Sequence, residues 1–136
     1  MGIDYGRRRI GLAVTDEDGA CIRGLATIDT KNTPNPLSVI VGLIRKENPG
    51  VLVVGLPLDS DDRETAMSAE IRSFAQKLAK EVTIPIHYID ESLTSRRASE
   101  LLLFRKKKER RNKANVDRIA ACLILEEYRK EQGFKP

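Results

Sequence analysis

Three carboxylates stand out by their surroundings. Asp4 closes the short apolar run Gly2-Ile-Asp-Tyr ahead of Gly6, Glu91 follows Tyr88-Ile-Asp, and Asp117 lies within Asn115-Val-Asp-Arg-Ile-Ala-Ala121. Asp4 and Glu91 fall at the ends of candidate strands, where ligands gather in open α/β sheets. Taken alone, Asp4 could equally be a turn residue bonding its own backbone, and Asp90-Glu91 a polar strand-to-helix loop. Alternation along a strand sends Asp90 and Glu91 to opposite faces, so one of them at most joins a shared site. Asp117 is the most telling, because Ala120, Ala121, Ile124 and Tyr128 recur at helical spacing on its side. Its place near a helix N-terminus suits the macrodipole. That does not explain an acid facing inward, since an unpaired buried carboxylate costs several kcal/mol. A cation removes the difficulty. Hard carboxylate oxygens without a His or Cys cluster favour Mg²⁺ or Mn²⁺ over zinc. Two such ions could activate a water and stabilise a leaving oxygen in phosphodiester cleavage. His87, the sole histidine, lies inside a candidate strand and reads as a packing or surface residue.

The charge pattern points to an anionic partner. Residues Arg105 to Arg118 hold eight basic and two acidic side chains, a local excess of +6 in a chain of net charge +4. The remainder is therefore near −2, and positive charge is concentrated as expected of a phosphate-backbone contact surface. A solvated basic loop is the bland alternative. A second basic run, Arg7-Arg-Arg9, directly follows the Asp4 strand. Cys21 and Cys122 lie far apart without a CxxC, so they read as buried small residues in a reducing compartment and not as a disulfide pair. No apolar run reaches the roughly 18 to 20 residues of a membrane span, and no leader pattern is present, so a cytoplasmic location is expected.

At 136 residues the chain is expected to form one domain, residues 1–136. The apolar pattern predicts a strand ending at Asp4, a strand from Ile10 to Thr15, and a third near Ala20 to Ile28 after an Asp18-Gly19 turn. Thr33-Pro-Asn-Pro36 opens a helix carrying Leu37, Ile40, Val41 and Ile44, and Asn48-Pro-Gly50 stops it. Val51-Leu-Val-Val54 reads as a strand covered on both faces. A long helix carries Met67, Ile71, Phe74, Ala75, Leu78 and Val82, and Ile84 to Ile89 forms the fifth strand. Thr94 or Ser95 would cap a further helix, and Asn112 or Asn115 a last one ending near Glu131. The order β-β-β-α-β-α-β-α-α predicts an α/β fold with a mixed five-stranded sheet flanked by helices.

These motifs resemble the YqgF/RuvX family, a group of small RuvC-like proteins of ribonuclease H-like fold. The resemblance rests on Gly2-Ile-Asp-Tyr-Gly6, Arg9-Ile-Gly-Leu-Ala-Val-Thr-Asp16, Val54-Gly-Leu-Pro-Leu58, Asp90-Glu-Ser-Leu-Thr94, and Val116-Asp-Arg-Ile-Ala-Ala121 with Leu123-Ile-Leu125. It runs from residue 2 to about residue 130 with the blocks in order. It implies a Mg²⁺-dependent endonuclease with Asp4, Glu91 and Asp117 as its acids, trimming the small-subunit ribosomal RNA precursor. Resolution of Holliday junctions, branched DNA, is the older proposal for the family. Ser92 stands where the family block usually has Arg, removing a phosphate contact, and Asp61-Asp62 replaces a common Asp-Gly. Related resolvases carry a carboxylate at the end of the fourth strand, where this chain has Gly55-Leu-Pro57. Glu91 would substitute from the neighbouring strand, or Asp59 or Asp61 would assist.

The leading expectation is thus a nuclease. Asp4, Glu91 and Asp117 bind Mg²⁺ or Mn²⁺, and Arg7, Arg8, Arg9, Lys106, Lys107, Lys108, Arg110, Arg111 and Lys113 hold flanking phosphates. The runner-up is a weakly active RNA-binding assembly or transcription factor. With three Phe and three Tyr, base stacking would not be its main contact. An actin-like ATPase is disfavoured by the chain length and by the lack of GxxxxGK[ST]. The expected state is a monomer or weak homodimer.

Overall fold

Val51-Leu-Val-Val54 needs cover on both faces, and the chain supplies it. The computed structural model describes residues 1–19, 21–58, 63, 65–90 and 113–132, with the side chains of 113–115 excepted. Strand β5 (Leu52–Leu56) is buried along its whole length. It runs parallel to β1 (Gly2–Tyr5) on one side and to β6 (Ile86–Asp90) on the other. β1 also pairs antiparallel with β2 (Arg9–Thr15), whose outer edge carries β3 (Ile22–Gly24) and β4 (Ile28–Asp29). The lateral order is β3-β2-β1-β5-β6, with β4 also on β2, a mixed sheet with β1 in its middle.

The expected third strand is present but split into β3 and β4, so the sheet has six strands in five lateral positions. Its register explains the split. Ala13 pairs with Gly24 and Ile10 with Ile28, so Leu25, Ala26 and Thr27 oppose only Gly11 and Leu12. One extra residue on the edge strand makes a bulge, which interrupts the ladder opposite Gly11.

Helices cover the sheet unequally. On one face lie α1 (Pro36–Glu47) and α2 (Ala66–Ala79), which bury Ile40, Val41, Ile44, Ile71 and Leu78 against Ile3, Leu12 and Val54. Asn35 caps α1, accepting from the Ser38 N–H at 3.2 Å, with Pro36 at the first helical position. Asn48 ends α1 in the left-handed conformation, φ 49°. Thr65 and Ser68 form a reciprocal capping box on α2. The Ser68 hydroxyl, wholly buried, also donates to the Pro57 carbonyl at 2.5 Å, fastening α2 to the end of β5.

The opposite face is crossed by one long helix, α3 (Lys113–Glu131). Ala121, Ile124 and Leu125 pack there against Ala13, Val53 and Ile89. Asn115 therefore lies inside the first turn of α3 and is not its cap, because helical conformation already begins at Lys113, and the alternative cap, Asn112, lies outside the described residues. Ala120 belongs to a separate apolar group with Val116, Ile119 and Leu123. The helix expected after Thr94 lies outside the described residues. No helix among the described residues is long and apolar enough to cross a membrane.

Candidate active site

The site is built where α3 crosses β2 and β1. Asp4 pairs with Gly11 across these two strands, so both occupy one row and one face. That face is the one α3 covers: a Cβ on Gly2, two residues before Asp4, would come within 2.8 Å of the Ala121 carbonyl. At Gly11 the approach is closer still. A Cβ there would collide with the Asp117 carbonyl and stand 3.1 Å from the Asp117 Cβ. Glycine at both positions lets the helix backbone lie directly on the strands, one turn of α3 spanning residues 117 to 121. Asp117 is thus seated over Gly11, the row partner of Asp4. The sequence signal for this seat was glycine inside strand patterns, which the carboxylate reading did not use.

Arg9 lies two residues before Gly11 on the same face of β2. Its Nε–H donates to Asp117 Oδ2 at 2.9 Å, with the two side chains only 31% and 22% exposed. The neighbouring arginines take separate partners. Arg7 Nε–H donates to Glu70 at 2.8 Å, and Arg8 Nε–H to Asp29 at 3.0 Å. The Thr30 hydroxyl donates to the Arg7 and Arg8 carbonyls, tying the β1–β2 turn to the segment after β4. Arg7 and Arg8 remain more than half exposed at the rim. Tyr5, on the α1–α2 side, donates to Glu70 at 3.4 Å. Burial and the Glu70 charge push the Tyr5 phenol above its usual pKa.

Arg118 serves the fold. Its Nε–H donates to the Leu25 carbonyl in the bulge at 3.2 Å, and its stem occupies the space a Cβ on Gly24 would need. Eleven residues further on, Arg129 donates to the Gly19 carbonyl at 2.7 Å. α3 is thereby held to the β2–β3 hairpin at two points about 16 Å apart along its axis.

The expected acids divide as follows. Asp4 and Asp117 are brought to one face of the sheet; Glu91 lies outside the described residues, as do Asp59, Asp61 and Ser92. Asp90 ends β6 opposite Leu56, in alternation with Ile89, so it shares the side of Tyr88 rather than that of Asp4. His87 stacks edge-on to Tyr128 of α3 with ring centroids 5.5 Å apart, a packing contact. Among the basic residues, Lys106, Lys107, Lys108, Arg110 and Arg111 lie outside the described residues, and Lys113 opens α3 without a described side chain. Among the described residues no group of three or more His, Cys, Asp or Glu forms a metal-holding cluster. The two acids that do share a face fit a hard divalent cation in donor type.

Comparison with known proteins agrees with this architecture. A "Putative pre-16S rRNA nuclease" of Crocosphaera subtropica is 37% identical over 128 residues, covering 94% of this chain and 90% of that protein. One of the same description from Legionella pneumophila is 38% identical, covering 94% of this chain and 92% of that protein. Among solved structures, Thermus thermophilus RuvC in complex with a Holliday junction substrate superposes with a TM-score of 0.58 at 18% identity. That match spans 97% of this chain and 94% of the RuvC chain, and it shows the ribonuclease H-like fold. The family model "RuvX: Holliday junction resolvase" matches residues 1–131, and the chain belongs to this family.

Proposed function

We propose that this chain is a divalent-metal-dependent endonuclease that cleaves precursor 16S ribosomal RNA in the cytoplasm. The observation that carries the reading is the seat of Asp117 over Gly11, in the row of Asp4. Glu91 directly follows Asp90 and shares the parity of His87 and Ile89, the β6 residues on the Asp4 side. The three carboxylates would hold Mg²⁺ or Mn²⁺ beyond the ends of β1 and β6. The chemistry a divalent cation supplies in such a site is activation of a water and neutralisation of charge on the leaving oxygen.

The chain's own groups hold and orient the substrate. Arg7 and Arg8 stand at the rim in exposed ion pairs, which solvent and salt screen. Phosphates therefore displace Glu70 and Asp29 at little cost. The basic run through Lys106, Lys107, Lys108, Arg110, Arg111 and Lys113 supplies further phosphate contacts, and Arg9 lies nearest the acids. RNA is favoured because the relatives at 37% and 38% identity carry the pre-16S description. The family description supports a second reading, resolution of a four-way DNA junction, which needs two copies facing one substrate.

The test is cleavage of a 5′-extended 16S precursor fragment and of a four-way junction, with Mg²⁺ or Mn²⁺, after sizing by light scattering. Cleavage of the RNA by a monomer is expected, abolished in Asp4→Asn with the unfolding midpoint within about 3 °C of the parent. Undiminished cleavage by Asp4→Asn refutes the mechanism. A dimer that cuts only the junction replaces the RNA substrate with DNA.

A further inference from the structure

The Arg9–Asp117 pair sets an arginine against one of the acids assigned to the metal. We propose that Arg9 is an internal counter-ion that occupies Asp117 in the metal-free protein and sets how tightly a divalent cation binds there. The inference rests on the reading of Asp4 and Asp117 as metal-binding acids.

Three observations carry it. Arg9 donates to Asp117 from a strand residue paired across to Asp29, so its backbone is fixed. The Asp117 backbone in turn cannot draw away from β2, the strand of Arg9, unless α3 lifts, because it rests on Gly11 with no Cβ between. The pair is also less exposed than its neighbours: the Arg9 side chain is 31% exposed, against 69% for Arg7 and 52% for Arg8. Arg7 and Arg8 are placed to meet phosphate; Arg9 is placed to meet the acid.

The consequence follows from charge. Two carboxylates on one face repel without a counter-charge, and the guanidinium relieves that repulsion before any metal arrives. A cation entering the same cluster meets a fixed positive group hydrogen-bonded to one of its ligands, in a site screened less than the open surface. A cation on Asp117 Oδ2 would displace the guanidinium, and one on Oδ1 would draw charge from the carboxylate and weaken the Arg9 bond at Oδ2. Arg9 thus stabilises the empty site and lowers its affinity for metal.

The experiment is calorimetric titration of Mn²⁺ into the parent, Arg9→Gln, Arg9→Lys and Asp4→Asn proteins, with unfolding midpoints in EDTA and in excess Mn²⁺. Arg9→Gln is expected to bind Mn²⁺ at least tenfold more tightly, and to be less stable than the parent in EDTA yet to regain stability in Mn²⁺. Arg9→Lys, which keeps the charge, stays within threefold of the parent. A merely structural Arg9 would lower stability under both conditions without tightening Mn²⁺ binding, and that result overturns the proposal. On the unmutated protein, the Arg9 Nε–H signal in ¹⁵N NMR is expected to shift on Mg²⁺ saturation; an unmoved signal refutes the competition even if Arg9→Gln fails to fold. Asp4→Asn separates the two layers. If it loses Mn²⁺ binding while Arg9→Gln binds like the parent, the counter-ion role alone fails; if it binds like the parent, the metal reading fails and takes this inference with it.

Discussion

Replacing Gly11 with alanine perturbs the contact on which the candidate site is built. The added Cβ meets the Asp117 carbonyl, and the Asp117 Cβ lies 3.1 Å away. Neither is the free end of a flexible side chain. Relief requires α3 to lift locally, against the packing of Ala121, Ile124 and Leu125 on the sheet. Overpacking of this kind costs about 1–3 kcal/mol. For a domain of this size that lowers the unfolding midpoint by roughly 3–10 °C. Gly42 is the internal control: a Cβ there meets nothing within 4 Å, and it lies inside α1. Gly42→Ala should therefore stabilise by about 0.5–1 kcal/mol. Cleavage should separate the two variants more sharply than stability does. A displacement of about 1 Å at a reacting group costs on the order of 100-fold in rate, so Gly11→Ala should lose that much at 20 °C while still folded. Gly42→Ala should keep full activity. The assay pairs scanning calorimetry with initial cleavage rates below both transitions. A Gly11→Ala protein with an unchanged midpoint and parental cleavage would refute the seating of α3 on β2.

Two further outcomes test the parts around the site. Ser68→Ala leaves the Pro57 carbonyl without its 2.5 Å donor and breaks the capping box of α2; a loss of about 1–3 kcal/mol in urea unfolding is expected, and less than 0.5 kcal/mol would show that the bond contributes little. Burial and the Glu126 charge raise the Cys122 thiol above its usual pKa, whereas Cys21, expected from the sequence to be buried, is exposed. At pH 8 one thiol should therefore react quickly with a disulfide reagent and one slowly, the fast phase vanishing in Cys21→Ser; a persisting fast phase refutes the assignment.

Much of this architecture was legible from residue periods. The apolar spacing through Leu37, Ile40, Val41 and Ile44 marked α1, and the unbroken run at Val51 marked the doubly covered strand. Pro36 and Asn48 punctuated the helix between. The candidate carboxylates were also visible, because an acid flanked by apolar residues is conspicuous. Register was not. The bulge at Leu25 to Thr27 exists only relative to Gly11 and Leu12 on the partner strand. Arg9 looked like one of three equivalent cations, since its partner lies 108 residues away and that of Arg7 lies 63 away. Periodicity reports which face a residue takes; it carries no information on which charge stands across from it. Of the two caps offered for α3, Asn115 fails for a related reason: it is a good cap by type, but the helix has already begun at Lys113, and Asn112 lies outside the described residues.

The bulge and the glycine seat act on the same point. An edge strand in regular pairing would oppose Gly11 and Leu12 with two residues; here three are present, and the ladder opens where α3 comes down. The Leu25 carbonyl freed from regular pairing is taken by Arg118, the residue next to Asp117. Asp117 is consequently fixed from three directions: its backbone by Gly11, its carboxylate by Arg9, and its chain neighbour by the bulge. Each constraint comes from β2 or its edge partner, and β2 is also the strand that pairs with Asp4. Any rigid shift of β2 carries Asp4, Arg9 and Asp117 together and preserves their mutual geometry. The spacing of these groups is therefore set by one strand and the helix seated on it, largely independent of α1 and α2 on the far face. The apolar residues divide accordingly, Ile3, Leu12 and Val54 packing with α1 and α2, and Ala13, Val53 and Ile89 with α3. It also predicts that destabilising substitutions on the α1–α2 side, Ser68→Ala among them, lower stability without changing the rate of the folded enzyme.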